Sequence, residues 1–206
     1  MGKRTAYLLS VILHPLLMPS YLFLMIIFFT PRIMQPLTEA MMFRVLLIVI
    51  ATTFILPLIS IGILKMSMLI RDFLLDNKQD RILPFLFVTM FYGISAYMFY
   101  QKVHLNDLIF FILAGITALL LILTSITFFW KISIHSAGLA GLAGFLVGIQ
   151  YWQPEYDLLY PIVGGILFSG LVMSARLRLN AHRPAEVYAG ALLGFAVCFF
   201  SLYIFL

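Results

Sequence analysis

A chain of 206 residues that is 64% hydrophobic and 10% charged, with mean hydropathy +1.10, is no ordinary soluble domain. Such domains hold about 45–50% apolar residues. The net charge of +5 points to a membrane surface rather than to nucleic acid, and the lone Cys198 excludes an intrachain disulfide or a thiolate metal site. A crossing helix needs about 20 apolar residues. The chain therefore reads as an all-α polytopic transmembrane bundle of six or seven spans, one integral membrane domain over residues 1–206.

Met-Gly-Lys-Arg precedes an apolar run over 5–30 that lacks a small-residue cleavage site, so it reads as a retained first span and not as a signal peptide. Pro15 and Pro19 are expected to bend it, because each removes a backbone donor. Counting along this span places His14 away from the basic face, where a structural hydrogen bond is expected. Further spans follow over 43–64, bent by Pro57, then 83–100, 107–130, 134–150, 158–175 and 186–206. In the fifth, Ala137 and Gly141, Ala140 and Gly144, and Gly144 and Gly148 recur at four-residue spacing, which lets helices approach closely. The last span repeats the theme with Ala185, Ala189, Gly190 and Gly194.

Alternating seven spans puts the N-terminus and the connectors 65–82, 131–135 and 176–185 on one face. That face carries Lys3, Arg4, Lys65, Arg71, Lys78, Arg81, Lys131, Arg176, Arg178 and Arg183, against Arg32, Arg44 and Lys102 on the other. Ten cations against three direct this face to the cytoplasm by the positive-inside rule. The bias survives as seven against three when Lys78, Arg81 and Arg176 are set aside as site residues. The expected location is a bacterial inner membrane, and His104, on the opposite face, is expected to be solvated.

Three polar clusters share the basic face: Asp76 to Pro84, Lys131 to His135, and Arg176 to Glu186. An even number of spans separates each from the next, so all three can meet at one depth. In the last cluster an arginine stands six residues before a histidine, and a carboxylate four after it. Such a set can clamp an anion, supply a nucleophile and orient it, as phosphoryl transfer from a lipid requires.

With these residues the chain resembles the type 2 phosphatidic acid phosphatase superfamily, whose motifs are, in order, Lys-x6-Arg-Pro, Pro-Ser-Gly-His and Ser-Arg-x5-His-x3-Asp. The third is matched by Arg176, His182 and Glu186, with glutamate for aspartate and Ser174 displaced by Ala175. The second is matched in part by Ser133 and His135, and the first by Lys78, Arg81 and Pro84 at compressed spacing. The resemblance implies a phosphatase-like core over about 65–206 with the span over 5–30 added to it.

It further implies that His182 is the nucleophile and forms a phosphohistidine, that Glu186 holds its tautomer, and that His135 protonates the departing alkoxide. Lys78, Arg81 and Arg176 would bind the phosphoryl oxygens, and Ser133 would add a hydroxyl donor. No metal or other cofactor is required. The expected substrate is a phospholipid or polyprenyl phosphate or diphosphate, candidates being phosphatidate, phosphatidylglycerol phosphate and polyprenyl diphosphate. Membrane lipids are the expected surroundings, nucleic acid is no partner, and a homo-oligomer is left open.

Plainer readings stand beside these. Arg178 and Arg183 fit headgroup anchoring, Pro184 and Glu186 fit ordinary helix initiation, and a lone His135 would fit an interfacial histidine. The altered motifs also fit a catalytically impaired relative that binds anionic lipid or acts as a scaffold. Asp72, Asp76 and Asp80, four residues apart, suggest a magnesium-dependent intramembrane prenyltransferase, although a second Asp-rich motif on that face is missing. A solvated face of alternating charge explains the same aspartates more simply.

Overall fold

The computed structural model describes residues 1–71, 78–102 and 107–205, of which 78, 79, 102, 204 and 205 are described by backbone alone. Among the described residues there is no strand, and seven helical segments are long and apolar enough to cross a membrane. The first span is divided into α1 (Lys3–Ile12) and α2 (Met18–Phe29), and the second into α3 (Glu39–Ile50) and α4 (Leu56–Met66). The other five are single helices: α5 (Lys78–Lys102), α6 (Asp107–Thr127), α7 (Ile134–Trp152), α8 (Leu159–Arg178) and α9 (Pro184–Phe205). The protein is an all-α integral membrane bundle with the seven spans expected from sequence.

The fifth span, α7, is the centre: 72% of it is buried, against 22–44% of the others, although it is the least hydropathic. Lipid tails are as apolar as leucine, so a central membrane helix is selected by close packing rather than by hydrophobicity. The small residues supply that packing. A Cβ on Gly194 would overlap the Ala137 carbonyl, and one on Gly144 would lie 2.5 Å from the Phe195 carbonyl oxygen. Helices α7 and α9 thus touch backbone to backbone, while α8 lies along another side of α7 and α6 packs against α9. Helix α5 pairs with α6, α1 with α8, and α2 with both α3 and α7.

Both proline-bearing early spans are disrupted, and each disruption frees backbone carbonyls that lipid cannot satisfy. In the second span a π-turn over Ala51–Ile55 precedes Pro57, which has no N–H for the Thr53 carbonyl four residues earlier. The buried Tyr92 hydroxyl of α5 donates to that carbonyl at 3.0 Å. In the first span the chain leaves helical geometry at Leu13, His14 caps a 3-10 turn over Pro15–Leu17, and α2 then begins. Pro19 falls in the first turn of α2, a position that tolerates proline, so Pro15 makes the break.

Candidate functional site

The connector between α8 and α9 is built by two opposed helix ends. Asn180 takes the left-handed conformation (φ 52°), which asparagine tolerates better than most residues. Its N–H bonds to the Leu177 carbonyl at 3.0 Å and that of Ala181 to Arg176 at 3.1 Å, a Schellman stop for α8. Three residues after Asn180, Arg183 precedes α9, Pro184 fills the first helical position, and Glu186 reaches back to accept the Arg183 N–H at 3.1 Å. His182 is held between these two ends.

Its Nδ1 lies 2.9 Å from Glu186 Oε2 and 3.2 Å from the Lys131 carbonyl oxygen. Both partners accept, which assigns the ring proton to Nδ1 and leaves the Nε2 lone pair uncommitted to them. Glu186 therefore combines the two roles that the sequence offers as alternatives, helix initiation and orientation of the histidine. Burial, the largest influence, lowers the His182 pKa to about 4; the Glu186 hydrogen bond opposes this, and the Arg81 and Arg176 charges add to it. The imidazole is accordingly neutral at physiological pH.

His182 and Glu186 line a cavity of about 680 Å³ with Lys131, Leu177, Asn180, Ala181, Arg183 and Pro184. Arg81 is buried at 4% exposure, Arg176 is half-buried, and both lie within Coulombic range of His182. These contacts draw residues from 65–82, 131–135 and 176–185 together, as the counting of spans requires. The groups acting electrostatically on His182 are two guanidinium ions and one carboxylate, and Lys131 and Arg183 add cations to the cavity wall. Cationic side chains beside a neutral imidazole are suited to an anion.

Two expected site residues, Ser133 and His135, are not among those lining this cavity. Ser133 is fully buried and its hydroxyl caps α7, accepting from the Ser136 N–H at 3.4 Å and bonding the Ser136 hydroxyl at 3.0 Å. The Ser-x-x-Ser spacing makes it a helix cap, and the structure does not bring it to the cavity wall. His135, in the first turn of α7, places Nε2 3.2 Å from the Ser10 carbonyl oxygen of the first span. The His14 ring meets it edge-on, with centroids 5.3 Å apart at 82°.

His14 thus stands beside the start of α7, whose polar cluster span counting assigns to the basic face, and not away from that face. Helix α1 packs along α8, with Arg178 Nε donating to the Met1 carbonyl at 3.1 Å. His14 keeps its expected structural hydrogen bond, accepting the Leu16 N–H at Nδ1.

Sequence reasoning passed over Lys131 and read Arg183 as an anchor, yet both line the cavity. The signal for Lys131 was its place two residues before Ser133; for Arg183 it was adjacency to His182. The Lys78 side chain, Asp72, Asp76 and His104 lie outside the described residues. Among the described residues no cluster of three or more His, Cys, Asp or Glu could hold a metal ion. Compared with protein-family models, with curated proteins and with solved structures, the chain matches none of them.

Proposed function

We propose that the protein is an integral membrane lipid phosphatase that hydrolyses a phosphate monoester or diphosphate through a phosphohistidine on His182. The observation that carries this reading is the pinned Nδ1–H of His182, bonded to Glu186 at 2.9 Å on the wall of a cationic cavity. In the first step Nε2 of His182 attacks phosphorus while the bond to the lipid oxygen breaks. Nδ1 keeps its proton, and Glu186 stabilises the positive charge that the ring acquires.

Arg81, Arg176, Lys131 and Lys78 neutralise the phosphoryl oxygens, which carry most of the transition-state charge. Protonated His135 gives a proton to the departing lipid oxygen. Water then attacks the phosphohistidine, His135 takes the proton of that water, and inorganic phosphate leaves with His182 neutral again. The lipid chain remains in the bilayer while its headgroup enters from the basic face, the side that the positive-inside bias favours as cytoplasmic. The substrate class is phosphatidate, phosphatidylglycerol phosphate or a polyprenyl diphosphate.

The test is phosphate release from these lipids by the parent and by His182→Ala in detergent. Release by the parent and its loss in the variant are expected; equal rates, or none from the parent on any of the lipids, sink the reading. One observation favours a second reading, an impaired relative that binds anionic headgroups: His135 commits Nε2 to Ser10. Binding of phosphatidate without turnover, weakened in Arg176→Ala and unchanged in His182→Ala, would select it.

A further inference from the structure

The break in the first span is built against the candidate site, not apart from it. Where α1 ends, the Ser10 carbonyl has lost the N–H that a continuous helix would supply from residue 14, since His14 instead caps the next turn. His135 meets that carbonyl at 3.2 Å. A carbonyl only accepts, so Nε2 carries the proton and Nδ1 is the nitrogen that remains to exchange one. His14 is fixed in turn by the Leu16 N–H on its own Nδ1, and its ring holds one edge of His135.

The fit is close: a Cβ on Gly138, one turn beyond His135, would lie 3.2 Å from Pro15 Cβ and 3.3 Å from Met18 Cγ. Arg176 acts electrostatically on His14, His135 and His182 alike, so the break and the cavity share one cation. Each of the two site histidines therefore has one nitrogen committed to an acceptor. For His182 the acceptor is Glu186 together with a backbone carbonyl; for His135 it is a carbonyl that exists only because the first span is broken.

We propose that the break in the first span belongs to the catalytic apparatus, with the Ser10 carbonyl and His14 acting as positioning groups that present Nδ1 of His135 to the leaving-group oxygen. This rests on the phosphatase reading and extends it to a segment that the sequence treats as an added anchor. The step balances: the imidazolium of His135 keeps Nε2–H on Ser10 and passes its Nδ1 proton to the alkoxide as the P–O bond breaks. It regains a proton from the water that later attacks phosphorus. The charged and titratable groups acting on His135 through this cycle are Arg176 from α8, His14 from the break and His182 from the connector.

The experiment compares dodecyl phosphate, whose alkoxide must be protonated, with p-nitrophenyl phosphate, whose phenolate leaves without a proton. In His14→Asn the side-chain oxygen can still cap the turn while the ring contact is lost. In a single turnover, release of dodecanol is expected to slow about tenfold or more, within the range general acids supply, while the first-turnover release of p-nitrophenol, which precedes water attack, changes less than about twofold. Pro15→Ala, which lets the helix continue and gives Ser10 a backbone partner, should reproduce the pattern should His14→Asn fail to fold. In a His135→Ala background neither change should slow dodecyl phosphate further.

Equal slowing of the first-turnover release of both leaving groups, or full additivity with His135→Ala, overturns the positioning role while leaving the phosphatase intact. A parent that releases phosphate from neither substrate nor from the lipids overturns the phosphatase reading, and this role with it.

Discussion

The two proline-disrupted spans carry the same defect and repair it differently. At Pro57 the freed carbonyl of Thr53 is met by the hydroxyl of buried Tyr92, a group that stays neutral across the physiological range. Around Pro15 the freed carbonyls include those of Ser10 and Ile12, met by His135 and by the Tyr21 hydroxyl at 3.0 Å. A phenol in that place restores a hydrogen bond and nothing more. An imidazole restores the bond and adds a group that takes up and releases protons, within reach of Arg176 and His182. The partner that covers a broken helix, rather than the break itself, separates a structural bend from a functional one.

The contrast predicts a graded set of outcomes. The largest follows from His135→Phe, which should lower turnover of an alkyl phosphate by about 10²–10⁴-fold, the usual contribution of general acid–base catalysis. Tyr92→Phe should leave turnover per folded molecule unchanged and cost about 1–3 kcal/mol in denaturant unfolding, because the Thr53 carbonyl is left buried and unbonded. A comparable loss of turnover in Tyr92→Phe would erase the distinction between the two bends.

Titration adds a smaller effect at the functional face. His182 has its pKa lowered from 6.5 to about 4 on folding, so between these values the unfolded chain binds more protons. Stability from this group is complete above pH 6.5 and declines as pH falls toward about 4, a slope that His182→Ala should flatten in unfolding midpoints. The smallest effect belongs to Tyr21→Phe, about 0.5–1 kcal/mol, since the hydrogen bond it removes is exposed.

Much of the architecture was legible because lipid allows few solutions. Seven apolar runs became seven spans, and their parity placed Arg81, Lys131 and His182 on one face. The four-residue spacings of Ala137 with Gly141 and of Gly144 with Gly148 marked the fifth span for close helix approach, and α9 is the helix that meets it there. The local geometry of Arg176 to Glu186 was legible too, because capping and the His-x3-Glu spacing are both short-range.

What escaped depends on contacts between distant segments. Residue counting could not reveal that α1 packs along α8 or that the His14 ring meets that of His135. The direction of the His135 ring is set by a carbonyl 125 residues away in sequence. The motif position of Ser133 suggests a phosphate ligand, and its capping of the first turn of α7 becomes visible only in the structure.

The central claim is a covalent bond between phosphorus and Nε2 of His182. It is tested most directly by mixing the protein with lipid labelled at phosphorus, quenching in alkali and counting label on the chain. The prediction is an alkali-stable, acid-labile phosphoprotein in the parent that is absent from His182→Ala. Label persisting in His182→Ala, or phosphate release by the parent with no labelled protein at any time point, would contradict it.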